Sequence, residues 1–117
     1  MDFKYKINRQ QEISVISLEG ELMDKNQAQV QTLLNDVQKL IDNNELKIIL
    51  DLSNLKYINS SGLNVFINIL TKSRKAGGDV AIANVTKKVK ELLIITKLNK
   101  VFNVSTSINE ATNKLIS

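Results

Sequence analysis

Lys47-Ile48-Ile49-Leu50-Asp51-Leu52, then Ser53 to Ile58, then Asn59-Ser60-Ser61-Gly62-Leu63, is the stretch that decides how this chain folds. The unbroken Ile48-Ile49-Leu50 run suits a strand covered on both faces, as in a parallel sheet. A short connection then delivers two hydroxyls to the first turn of a helix. A helix start exposes unpaired backbone N–H groups and the positive end of the macrodipole. An oxygen or a phosphate placed there is stabilised without a dedicated side chain. The plain reading of Ser60 or Ser61 is an N-cap; the functional reading is a switch worked by modification. Asp51 reads most simply as a polar residue at a strand end.

Working outward, Leu63, Phe66, Ile67 and Leu70, widened by Val65 and Ile69, form the inner stripe of a helix from about Ser60 to Ala76, and Gly77-Gly78 stops it. Upstream, Val30, Leu33, Leu34, Val37, Leu40 and Ile41 recur at spacings of three and four, predicting a helix from about Lys25 to Ile41, ended by Asp42-Asn43-Asn44. Before it, Phe3, Tyr5 and Ile7 fall at period two. A polar turn follows, and then Ile13, Val15, Ile16 and Leu18, up to Gly20. So short a connection predicts an antiparallel hairpin. The third strand spans Leu46 to Leu52. Downstream come a strand at Val80 to Ala83, a helix opened by Thr86 and carrying Val89, Leu92, Leu93 and Ile95, and a short strand at Val101 to Val104. Ser107-Ile108-Asn109-Glu110 is a capping box with Ser107 as N-cap, opening a last helix that buries Ala111 and Leu115.

This order predicts an α/β fold. Its mixed sheet should have about four to five strands, mostly parallel, with an N-terminal antiparallel hairpin, packed against about four helices. At 117 residues, the chain reads as one domain, 1–117. In such folds function gathers at the carboxyl ends of the strands. Three loops should meet there: Gly20 to Asn26, Ser53 to Ser61, and Asn84 to Thr86. That meeting places Ser60 and Ser61 beside Glu21 or Asp24, and near Asn84 and Thr86.

Composition excludes several classes of function. The chain has neither cysteine nor histidine. It therefore offers no disulfide framework, thiolate or imidazole metal site, or imidazole base, so no catalytic residue is assigned. Asp51 lacks an acidic pair after the first strand to hold Mg²⁺. No G-x-G-x-x-G or Walker pattern occurs, so no cofactor is expected. The net charge of +4 raises the question of nucleic acid, yet no aromatics interleave with Lys72, Arg74 and Lys75, with Lys87, Lys88 and Lys90, or with Lys97 and Lys100. Those lysines read as wet helix faces, or as a docking patch for an acidic partner, rather than a base-stacking platform. No window reaches the roughly 20 apolar residues of a membrane span. Met1 to Lys6 alternates polar and apolar residues and lacks the apolar core of a signal peptide. The default expectation is a cytoplasmic protein.

Ile48 to Ser53 followed by Ile58-Asn59-Ser60-Ser61-Gly62-Leu63 resembles the signature of the STAS domain, the anti-sigma-factor antagonist family. In that family a strand ending in aspartate-leucine is followed by a short link, and aspartate-serine-serine/threonine-glycine-leucine then opens a helix. Gly20-Glu21-Leu22, Gly77-Gly78 and the Asn84–Thr86 turn also match, so the resemblance spans nearly the whole chain. It implies partner switching. Such a protein binds an anti-sigma factor that is also a serine kinase, and so frees a sigma factor. The kinase phosphorylates the hydroxyl just before the glycine, here Ser61, and a serine phosphatase reverses this. The implied partner-binding set is Glu21, Asp24, Asn59, Ser60, Ser61, Gly62, Asn64, Asn84 and Thr86. Two positions depart from the pattern: Asn59 stands where aspartate is usual, and Met23 stands where an acidic residue often occurs, with Asp24 one place later. The alternative is a phosphorylation-independent STAS scaffold, or an interaction module in another signalling complex.

Overall fold

The period-two run at the N-terminus folds as expected into β1 (Phe3–Gln10), which pairs antiparallel with β2 (Ile13–Leu22). The computed structural model describes residues 2–116; Met1 and Ser117, the two ends of the expected 1–117 domain, lie outside the described residues. Gln11 takes a φ of 58° at the hairpin tip. A 3-10 turn at Asp24–Asn26 leads into α1 (Gln27–Asp42), and β3 (Lys47–Ile58) then runs parallel to β2. There follow α2 (Ser60–Lys75), β4 (Asp79–Ala83), α3 (Lys87–Ile95), β5 (Asn103–Val104) and α4 (Ile108–Ile116). The strands lie in the order β1-β2-β3-β4-β5, and every pair after the hairpin is parallel. This is the mixed sheet with four helices that the alternation of periods predicts.

The apolar run in β3 shows why both faces had to be covered. Ile48, Ile49 and Leu50 are all fully buried. Ile48 and Leu50 join the larger core with Leu18, Leu33, Val37, Phe66, Leu70 and Leu93. Ile49 points the other way and packs with Ile13, Val15, Ala81, Ala83 and Ala111 under α4. The alternation of a strand sends neighbours to opposite faces, so a three-residue apolar run is stable only between two layers. The capping box is half formed: Ser107 Oγ accepts the Glu110 N–H at 3.1 Å, and the Glu110 carboxylate accepts the Thr106 hydroxyl at 2.8 Å.

The expected boundaries shift in several places: β2 runs past Gly20 to Leu22, the strand expected from Val101 begins only at Asn103, and Ile95, expected on the inner face of α3, is exposed. The helix expected from Lys25 begins as the 3-10 turn, and its α-helical part starts at Gln27. More consequentially, Ser53 to Ile58 is not a link: β3 continues through it. β3 carries one extra residue between Asp51 and Asn54 and another between Leu55 and Tyr57, and with these two bulges Glu19, Gly20, Glu21 and Leu22 pair with Asn54, Leu55, Tyr57 and Ile58. Gly20 carries the bend at φ 91°. Such bulges increase local twist and redirect the strand. Here they carry two neighbouring strand ends outward together, and the chain turns into α2 from there.

Candidate functional site

The extended ends of β2 and β3 fix where α2 begins. Gly62 presses against the main chain of Leu22: a Cβ there would collide with the Leu22 carbonyl oxygen and stand 3.0 Å from Ile58 Cγ1. The residue before the serine pair, rather than either serine, caps the helix. Asn59 Oδ1 accepts the Gly62 N–H at 2.9 Å, and the Asn59 carbonyl accepts the Leu63 N–H at 2.9 Å. With the strand reaching Ile58, Asn59 is the last residue in extended conformation and holds the N-cap position. The N-cap expected of Ser60 or Ser61 is thereby corrected. Both hydroxyls are free of capping duty, and both serines are exposed on the first turn, as is Asn64.

Asp24 meets this turn from the other side. Asn59 Nδ2 donates to Asp24 Oδ1 at 3.3 Å. The Ser61 hydroxyl donates to the same carboxylate, and that bond, followed by the one from Asn59, holds the Asp24 carboxyl below its usual range. A charged acceptor makes such bonds stronger than neutral ones. A neutral carboxamide is the group that can do both jobs of residue 59. It accepts from the helix and donates to Asp24, whereas a carboxylate there would face Asp24 with like charge. Met23, Asp24, Gln27, Val30, Ser61 and Val65 line a shallow cleft of about 240 Å³ around the hydroxyl.

The titration of Asp24 reports this contact directly. A lowered folded-state pKa means that the interaction is present above the ordinary carboxylate range and lost as pH falls through the folded value. We expect the Asp24 carboxyl carbon, followed by NMR, to titrate below an ordinary aspartate and to move up toward the ordinary value in Ser61→Ala. An unchanged midpoint in the variant would remove the hydroxyl from the account.

The remaining residues of the sequence-derived set fall in two places. Glu21 pairs with Tyr57 across the strand extension and lies 3.8 Å from Lys25 Nζ. Asn84, at φ 57°, donates to Asp51 Oδ1 at 2.7 Å, and Thr86 Oγ1 caps α3 by accepting the Val89 N–H at 3.3 Å. Asp51 is not a strand end. It is buried in mid-strand, accepting from the Ser53 N–H at 3.1 Å and from the Ser17 hydroxyl at 3.4 Å. Its bonds hold the β4–α3 turn to the sheet, a structural role. The structure thus gathers Asp24, Asn59, Ser61 and Gly62 in one cluster, and Asp51, Ser17 and Asn84 in a second. Gln27, Val30 and Val65 were absent from the sequence-derived set. Val30 carried a signal as the first apolar position of the α1 stripe, but nothing in its spacing marks a cleft wall.

No helix among the described residues is long and apolar enough to cross a membrane. Residues 4–111 match the family model of the STAS domain. BtrV of Bordetella bronchiseptica, assigned as an anti-sigma factor antagonist, is 28% identical over 82 residues, covering 70% of this chain and 71% of that protein. A Thermotoga maritima protein with the same assignment is 35% identical over 65 residues, 56% of this chain, and the match spans 58% of the relative's length. The crystal structure of an assigned anti-sigma factor antagonist from Thermotoga maritima superimposes with a TM-score of 0.83 at 27% identity, covering 98% of this chain and 95% of that one.

Proposed function

From the premise that this chain belongs to the STAS domain family, we propose that it is a single-domain anti-sigma-factor antagonist of the cytoplasm, a binding module and not an enzyme. In this reading it binds an anti-sigma factor with serine kinase activity and releases a sigma factor; phosphorylation of Ser61 switches it off, and a serine phosphatase restores it. The observation that carries the proposal is the exposed Ser61 hydroxyl on the first turn of α2, relieved of capping by Asn59 and oriented by Asp24. The binding face comprises the exposed groups around it, Ser60, Asn64 and the half-exposed Tyr57, with Glu21 and Asp24 at its rim. Asn84 and Thr86 support the neighbouring turn.

The physics of the switch follows from the same contacts. A phosphate on Ser61 brings about −1.5 to −2 charges. The helix terminus suits an anion, but Asp24 does not. The bond from the hydroxyl is lost, and the carboxylate that received it is repelled. The fold of α2 stays, while the face the partner reads gains charge and loses an ordered donor. A partner packed over that face would have to desolvate the new charge, at about 2–3 kcal/mol, or about a hundredfold in affinity.

The test is calorimetric titration of wild type, Ser61→Asp and Ser61→Ala against the cognate kinase. We expect Ser61→Asp to bind about a hundredfold more weakly and Ser61→Ala to bind within a few-fold of wild type. Mass spectrometry after incubation with kinase and ATP should find phosphate on Ser61. Equal affinities for wild type and Ser61→Asp would overturn the switch. Tight binding with no phosphoserine would favour the scaffold reading, which draws its support from Asn59 and Met23 at positions the family usually gives to acids.

A further inference from the structure

Two hydroxyls stand side by side at the start of α2, and their surroundings differ. Neither caps the helix, since Asn59 Oδ1 accepts the Gly62 N–H at 2.9 Å, and both Ser60 and Ser61 are exposed. Successive residues of an α-helix are turned by about 100°. Gly62, pressed against the Leu22 carbonyl, fixes how this first turn is rotated about its axis. Ser61, one step back from Gly62, comes round to Met23 and Asp24, the residues that follow Leu22, and lines the cleft of about 240 Å³ with them. Ser60, two steps back, points about 200° away from the Leu22 contact and does not line that cleft. The Ser61 hydroxyl donates to the Asp24 carboxylate, whereas the Ser60 hydroxyl makes no hydrogen bond among the described residues. Asp24 is itself anchored, its Oδ1 accepting from Asn59 Nδ2 at 3.3 Å. An unbonded serine side chain samples its staggered rotamers; the bond to Asp24 holds Ser61 in one.

We propose that Asp24 selects Ser61 over Ser60 as the phosphoacceptor, by fixing the direction of the Ser61 hydroxyl and taking its proton. The selection rests on the proposal that a serine kinase acts on this face. In the transfer, Ser61 Oγ bonds to the γ-phosphorus of ATP, the bond from that phosphorus to the β–γ bridging oxygen breaks, and ADP leaves. The hydroxyl proton passes along its existing hydrogen bond to the Asp24 carboxylate and then to water. With the proton turned toward Asp24, the Oγ lone pairs point away from the carboxylate and are free for the phosphorus. In a loose transition state the proton leaves late, once the oxygen bonded to phosphorus has become strongly acidic, so a weakly basic carboxylate suffices. Ser60 has neither a fixed direction nor a proton acceptor, and its reaction carries an orientational cost that Ser61 avoids.

The test is phosphorylation of the full chain, as wild type, Asp24→Ala and Asp24→Asn, by the cognate kinase with ATP, with sites mapped by mass spectrometry. Wild type should carry phosphate on Ser61 and not on Ser60. In Asp24→Ala we expect kcat to fall by about tenfold or more, KM to stay within a few-fold, and part of the phosphate to move to Ser60. Asp24→Asn keeps an oxygen that accepts the hydrogen bond but not the proton, so phosphate should stay on Ser61 while kcat falls. A merely structural role for Asp24 would not redistribute phosphate between the two serines. A second measurement needs no kinase: side-chain NMR couplings should show one χ1 rotamer for Ser61 and averaging for Ser60, with Ser61 averaging too in Asp24→Ala. Wild-type kcat in either variant, phosphate confined to Ser61 in Asp24→Ala, or equal averaging of the two serines in wild type would overturn the selection and leave Ser61 as the switch. No phosphoserine on wild type would overturn the kinase reading, and the selection with it.

Discussion

Replacing Phe66 with alanine lowers the stability of this domain by about 3–5 kcal/mol, the usual range for deleting a buried aromatic ring. Phe66 is fully buried on the inner stripe of α2 and meets Phe102 edge-on, with ring centroids 6.5 Å apart and planes at 80°. The ring therefore joins α2 to the segment before β5 as well as to the sheet. Its loss leaves a cavity that the sheet, held by three parallel ladders, cannot collapse to fill. At about 4–8 °C per kcal/mol for a chain near this size, the thermal midpoint should fall by well over 10 °C. In urea the midpoint should drop with an unchanged slope. A loss below about 1 kcal/mol would mean that the space refills, contrary to the packing described.

The second large effect is expected at Gly62, where local preference and tertiary contact have opposite signs. Gly62 sits inside a helix, where alanine is favoured over glycine by about 1 kcal/mol. The Leu22 carbonyl occupies the place where the methyl would go. Overpacking against a backbone atom has no flexible side chain to yield, so Gly62→Ala should be destabilising by about 3 kcal/mol, the upper end for such insertions. Gly77→Ala is the contrast: at φ 91° with open space around the position, it carries only the left-handed backbone penalty of about 1–2 kcal/mol. Chemical denaturation of both variants decides the matter. If Gly62→Ala is as stable as wild type, α2 does not lean on β2 as described, and the position of Ser61 has another cause.

These two positions also show what the sequence could convey. Phe66 was legible because α2 repeats its apolar residues at helical spacing, and that spacing survives whatever the helix packs against. Ile48-Ile49-Leu50 was legible as a doubly covered strand for a similar reason. Gly62 could be quoted as part of a motif, but its cause lies in a carbonyl forty positions earlier in the chain, which no local pattern reveals. The continuation of β3 through Ser53 to Ile58 was hidden because its outward residues are polar and two bulges break its register with β2. That omission led to the cap: with the strand ended too early, the serines looked like the first polar groups of the helix, and Asn59 was passed over. The nearness of the serines to Glu21 or Asp24 did follow from topology, since adjacent parallel strands deliver their loops to the same end. Choosing Asp24 required coordinates, because the 3-10 turn sets which of the two faces α2.

The eight-residue β1 lies at the border of the sheet, with one flank paired to β2 and the other open. Its side chains alternate, Phe3, Tyr5 and Ile7 toward α1 and Lys4, Lys6 and Asn8 away from it. An incoming β-ribbon from another molecule would meet two ammonium groups before it could complete a ladder, and like charges on a copy of the same strand would repel. Such gatekeeping lysines are how open borders avoid fibrillar stacking. Neutralising Lys4 and Lys6 together would leave this open border without that protection.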